Sequence, residues 1–147
     1  MNWIFLLLAL IAGMSLPAQG AINSKLADYL QSPMLAVFFS FVTGATALLV
    51  YILISRIPLG PLSMVRSASP IALTGGILGA IFVTLTTLAV PRLGVALTFS
   101  LVILGQMIAT IPIDHYGLLG VAQRAITLPR VIGALLIVAG AILIRRY

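Results

Sequence analysis

This sequence predicts an all-α membrane protein with five transmembrane helices, and three observations lead there. Hydrophobic residues make up 62% of the 147-residue chain, charged residues only 7%, and mean hydropathy is +1.27. No soluble core of this size hides so much apolar surface, so lipid is the solvent for most of it. Second, the charged residues leave uncharged runs at 1–24, 29–55, 67–91 and 93–113. Each is longer than the roughly 20 residues that cross about 30 Å of hydrocarbon as a helix. Third, the connections are short and rich in Pro and Gly, with nothing left from which to build a soluble domain. The chain reads as one transmembrane domain, 1–147, with spans at about 3–23, 33–55, 70–90, 94–113 and 127–145.

The first span ends in GMSLPAQGAIN, residues 13–23. Ala18-Gln19-Gly20 places small residues where a signal-peptide cleavage site has them. Yet Met1-Asn2-Trp3 supplies no charged side chain for an n-region, so the expectation is an uncleaved span. Pro17 removes one backbone donor and frees a carbonyl a turn earlier. Gln19 and Asn23 lie four apart on one helical face, with Ser15 on the same stripe. A kinked or broken helix is the expectation here, of the kind that holds substrates in transporters. The plainer alternatives are an interhelical hydrogen bond from Gln19 and a helix-end cap from Asn23.

Asp28 to Pro33 forms the first connection, and Pro33 suits the first turn of span two. Span two carries Ser40, Thr43 and Thr46. Residues 56–69 (RIPLGPLSMVRSAS) read as a loop. Span three carries Thr84, Thr86 and Thr87, and Gly75 with Gly79 forms a small-xxx-small pair. Membrane hydroxyls usually bond their own backbone, which is the default for this group. Pro91-Arg92-Leu93-Gly94 reads as a tight turn. Span four contains Ser100 and Gly105-Gln106, where the glycine gives close backbone access beside the deepest amide in the chain. Residues 114–126 form the last loop, bending at Gly117 and Gly120. The apolar run 131–144 is short, and it reaches membrane length if Arg130 snorkels at the edge. Gly133-Ala134 and Gly140-Ala141 repeat at seven residues, so small side chains line one face of span five. That face fits a seam between copies, and equally packing within one subunit.

The formal charge of +6 comes from eight Lys or Arg against Asp28 and Asp114. The basic residues stand singly between apolar runs, which is membrane-edge anchoring and topology rather than a nucleic-acid surface. With five spans, Lys25, Arg92, Arg145 and Arg146 fall on one side of the membrane. Arg56, Arg66, Arg124 and Arg130 fall on the other, four against four. Such a chain is either oriented by something other than charge or inserted both ways and paired antiparallel. The second reading is the expectation: an inverted-repeat, ten-helix assembly made from two copies.

Several chemistries are excluded. There is no Cys, no Glu, one His and two Asp, so a metal site, a thiol nucleophile and a catalytic triad have no residues to draw on. No cofactor and no enzymatic activity are expected. A proton-coupled cation exporter needs a buried carboxylate. Its absence favours a neutral or anionic substrate. Asp114-His115 and Arg92 are the groups that a proton-linked or gating step would use. The plain reading of the first two is an interfacial pair that ends span four and ion-pairs with Arg124 or Arg130.

QGAIN (19–23), Ser32-Pro33, Gly75-Gly76-x-x-Gly79-Ala80, Pro91-Arg92-Leu93-Gly94, Gly105-Gln106 and Ile113-Asp114-His115-Tyr116-Gly117 occur in that order. In these motifs, over nearly the whole chain, the sequence resembles the YdcZ-type inner-membrane exporters, a short five-helix branch of the drug/metabolite transporter superfamily. The resemblance implies a bacterial inner-membrane protein that is dimeric and often of dual topology. One departure is Pro70-Ile71-Ala72, where members of that family often carry tryptophans after the proline.

The expected function is secondary transport of a small organic solute by alternating access. Gln19, Asn23 and Gln106, with Ser15, Thr84 and Ser100, are the expected cavity residues. A channel of the same architecture and a non-transporting scaffold or accessory subunit are the alternatives.

Overall fold

A computed structural model describes residues 3–58, 60 and 66–146. Of the predicted 56–69 loop, residues 59 and 61–65 lie outside the described residues, as do Met1, Asn2 and Tyr147. The described chain is helical, and five of its helical segments are long and apolar enough to cross a membrane. In order they are α1 (Trp3–Leu30), α2 (Pro33–Ile54), a four-residue α3 (Pro70–Leu73) that leads into α4 (Gly75–Leu93), α5 (Val95–Tyr116) and α6 (Leu128–Arg146). The span of the third segment is Pro70–Leu93 taken together. The chain divides into two compact units, Met1–Arg92 and Leu93–Tyr147.

In the first unit α1 runs seven residues beyond the predicted edge at 23. At 1.5 Å per residue its 28 residues extend about 42 Å, longer than the roughly 30 Å hydrocarbon layer. Charge marks where the apolar run stops, but it does not stop a helix: Lys25 and Asp28 are exposed and ride on its last turns. The break comes where the backbone demands it. Gln31 takes a left-handed φ of 49°, and Ser32 is extended, as a residue before proline prefers. The Ser32 hydroxyl then accepts the Leu35 N–H at 3.3 Å, capping α2 with Pro33 in its first turn.

Pro17 does not break α1, against the sequence expectation. A missing N–H removes one hydrogen bond, to Gly13, while the bonds on either side carry the helix through. The same correction applies to Pro91-Arg92-Leu93-Gly94. Pro91 and Arg92 belong to α4, and Gly94 alone turns the chain, at φ 77°. Between α3 and α4, Thr74 interrupts the helix: its hydroxyl and its N–H both go to the Ile71 carbonyl, at 2.7 and 3.1 Å. Two poor helix formers, Gly75 and Gly76, follow it.

α1 packs on α2. The buried residues of α1 are Gly20, Asn23, Ser24 and Ala27, and those of α2 are Ala36 and Val37. These are small side chains, as membrane helices need for close approach when lipid supplies no hydrophobic drive. α4 buries Val83, Thr86, Thr87 and Val90, also one stripe at helical spacing.

In the second unit α6 packs on α5. Ala141 is buried, and Val138, Ala141 and Ile142 face Leu97, Leu101 and Leu104 across a groove of about 270 Å³. α5 ends at Gly117, which is left-handed at φ 61°, and a 3-10 turn at Leu118–Gly120 folds against that end. A Cβ on Gly117 would sit 3.4 Å from Gln123 Cβ and 3.4 Å from the Val121 carbonyl oxygen. Gly117→Val combines that crowding with a β-branched residue at positive φ. It is expected to destabilise the protein by about 1–3 kcal/mol, read as a lower melting temperature in detergent.

Candidate functional site

The polar side chains of the spans divide into those bonded to their own backbone and those left open. Ser15, Thr43, Thr46, Thr86, Thr98 and Ser100 each donate to a carbonyl four residues earlier, at 2.7–3.0 Å. For Ser15 and Ser100, both expected at a cavity, the hydroxyl proton is thereby committed. Ser15 is also exposed, away from the buried stripe of its own helix.

Two of the others are buried with nothing to bond among the described residues. Asn23 is 2% exposed, and its Nδ2 has no hydrogen-bond partner among the described residues. It is not the helix-end cap, since α1 continues for seven residues past it. Thr87 is 1% exposed and its Oγ1 is likewise unpartnered. Pro91 also removes the backbone donor that would reach the Thr87 carbonyl. Thr87 is the residue that sequence reasoning passed over. The signal was present in Pro91, four positions on, which marks Thr87 among the hydroxyls of α4.

Leaving a buried polar atom unpaired costs about 1–3 kcal/mol. Thr87→Val keeps the shape and deletes the orphan hydroxyl. Its expected effect is unchanged or slightly higher thermal stability, by up to about 1 kcal/mol; a marked loss would show that the hydroxyl has a structural partner.

Gln19, one turn before Asn23, lines an open groove of about 590 Å³ against Ser40, Phe41, Gly44, Ala45, Ala47 and Leu48 of α2. The small residues of α2 make the space, and the amide is its long polar group. Thr84 stands in a different groove, of about 280 Å³, with Met34, Ile77, Ala80, Ile81 and Leu85. A Cβ built on Gly79 would meet the Phe41 ring at 3.7 Å, whereas one on Gly75 would meet nothing within 4 Å, so only Gly79 of the pair lies against a neighbouring side chain. Gln106 is exposed at mid-helix on α5. Arg92 is exposed in the last turn of α4, where a cation suits the helix dipole.

In the second unit the loop after α5 is tied back onto the helix end. Asp114 Oδ2 pairs with Arg130 Nη2 at 3.2 Å, and the Asp114 carbonyl accepts the Arg124 N–H at 2.7 Å. The Gln123 amide donates to the His115 carbonyl at 2.9 Å. His115 Nδ1 accepts the Ile126 N–H at 3.3 Å. The ring also stacks edge-on against Tyr116, with centroids 4.8 Å apart. Gly133 and Ala134 face α5 of the same chain, lining a groove with Met107, Thr110, Ile111 and Ile137. Among the described residues there is no cluster of three metal-ligating side chains.

Five apolar helices, open amides and a helix-end ion pair are the features of a membrane protein with polar business inside its spans. The family model described as "Putative inner membrane exporter, YdcZ" matches residues 4–143. The chain belongs to the YdcZ family. The match runs from the second residue of α1 to residue 143 in α6, so it reaches all five spans of this YdcZ chain. Neither a curated protein nor a solved structure matches the chain. Family and helices together make it a multi-pass membrane protein.

Proposed function

We propose that this YdcZ-family chain is a secondary transporter that exports a small neutral or anionic organic solute across a bacterial inner membrane by alternating access. The observation that carries the reading is the Asn23 amide, buried with an unpaired donor one turn after Gln19, whose own amide lines the α1–α2 groove. A donor without a partner at such a place is a recognition group awaiting an acceptor. Gln19 and Asn23 offer amides, and Thr87 offers a hydroxyl. None of them is charged, and the chain has no Glu. Asp114 stands at the end of the uncharged run 93–113 rather than inside it, and Asp28 lies on the exposed end of α1. That chemistry favours carbonyl, hydroxyl or anionic groups on the substrate over a cation.

The working unit is an antiparallel homodimer, in which each copy supplies the first unit's grooves in opposite orientation. Two observations support it. The basic residues balance four against four across five spans, and Gln106 is an amide exposed in the middle of an apolar helix. In hydrocarbon such an amide needs protein or water beside it. A second copy provides either.

The test begins with a panel of small metabolites screened by thermal stabilisation of the purified protein, since a ligand of the folded state raises its melting temperature. Hits are then assayed in proteoliposomes. Saturable uptake with counterflow is expected. Non-saturable flux without counterflow would make the protein a channel, and no flux of any stabilising compound would make it a scaffold.

A further inference from the structure

We propose that the groove between α5 and α6 is a binding site for a bilayer phospholipid with a zwitterionic headgroup that carries a primary ammonium. Its phosphate is held by Arg130 and its ammonium by Asp114. The proposal stands independently of transport.

The groove has a volume of about 320 Å³ and is charged at one end only. Asp114 closes the uncharged run 93–113, and Arg130 lies in the first turn of α6. The pair therefore stands at the depth where headgroups lie. From there the wall runs down α5 through Ile111 to Met107, seven residues or about 10.5 Å from Asp114. Ile137, Ala134 and Gly133 form the facing side. A Cβ built on Gly133 would meet nothing within 4 Å, so an open slot runs beneath the charged pair. A channel apolar except for Thr110, with a charged mouth at the membrane edge, has the shape of an amphiphile.

The charges select the headgroup. Arg130 and Asp114 are 34% and 36% exposed, so the pair is half open to the outside. One carboxylate oxygen, Oδ2, accepts from Arg130 Nη2, while Nη1 reaches the Arg124 carbonyl at 3.4 Å. Oδ1 and the guanidinium Nε have no hydrogen bond among the described residues. The site thus presents one free anionic acceptor beside one free cationic donor. A phosphate with an ammonium a few bonds away matches both. A quaternary ammonium has no N–H to give to Oδ1, and an anionic headgroup brings negative charge against Asp114. Arg124, whose N–H and carbonyl are both tied into this corner, supplies a further nearby charge, and the His115 ring accepts the Ile126 N–H beside it.

The experiment is native mass spectrometry of the full-length protein after equilibration with equimolar phosphatidylethanolamine, phosphatidylcholine and phosphatidylglycerol. The wild type is expected to retain phosphatidylethanolamine roughly threefold to fivefold over each of the others, the size that a half-exposed charged contact supports. Asp114→Asn should abolish the preference over phosphatidylcholine. Gly133→Leu fills the slot, leaves the ion pair in place and improves helix propensity; it should lower retention of all three lipids in a protein that still melts cooperatively. Equal retention by the wild type, a preference for phosphatidylglycerol, or a preference that survives Asp114→Asn would each overturn the assignment.

Discussion

Gln19→Leu is expected to reduce transport by about fivefold or more while the protein remains folded. Losing a hydrogen bond to a buried substrate group leaves that group unpaired and costs about 1–3 kcal/mol; about 1.4 kcal/mol is a factor of ten in rate. The fold has little to lose. Gln19 is half-buried, and no hydrogen bond holds its amide among the described residues. Apart from Ser40 the groove it lines is apolar on the α2 side, where leucine is at home. The melting temperature in detergent is therefore expected to stay level or rise. Full transport by Gln19→Leu would remove the residue from the site. A steep loss of melting temperature would assign the amide to holding helices together.

Arg145→Ala combined with Arg146→Ala is expected to give a chain that inserts in one fixed orientation. The balance of four against four becomes two against four, with Lys25 and Arg92 left on the carboxyl-terminal side. The side holding Arg56, Arg66, Arg124 and Arg130 then faces the cytoplasm, and the carboxyl end faces outward. Both deleted residues are exposed in the last turn of α6, so packing is little affected. Reporter fusions at the carboxyl end measure the outcome. The wild type should give signal from both compartments and the double variant from the outer one. If the wild type reports from one compartment alone, the antiparallel dimer is excluded. Because fixing one orientation removes the inverted partner, the variant should also lose transport.

The spans were legible because they rest on a one-dimensional property: lipid requires about twenty apolar residues in succession, and charge is absent from those runs. The helix ends were less so. Charge located the membrane edge near residue 24 of α1, whereas the helix ended at Gln31 and Ser32, where positive φ and the following proline act on the backbone. Pro17 and Pro91 misled in the same manner. Each deletes one hydrogen bond, which a long helix tolerates, so neither is a terminus. The candidate site was legible in part. Gln19 and Asn23 stood out as amides in an apolar run, but Ser15, on the same predicted stripe, spends its hydroxyl on Ile11 and faces outward.

By itself the sequence determined that this is a five-span helical membrane protein, the family it belongs to, the balance of its charges and the absence of buried carboxylates. All of these follow from which residues are present and how far apart along one chain they lie. Only the tertiary structure decided which polar groups are satisfied. Thr86 and Thr87 are neighbours of the same type, yet one bonds the Phe82 carbonyl at 3.0 Å and the other is buried with none. Asp114 could reach Arg124 or Arg130 by sequence; the folded loop gives its carboxylate to Arg130 and its carbonyl to the Arg124 N–H. The physical reason is that a hydrogen bond or ion pair depends on distances of about 3 Å between atoms, and those are set by how helices pack and loops return rather than by spacing along the chain.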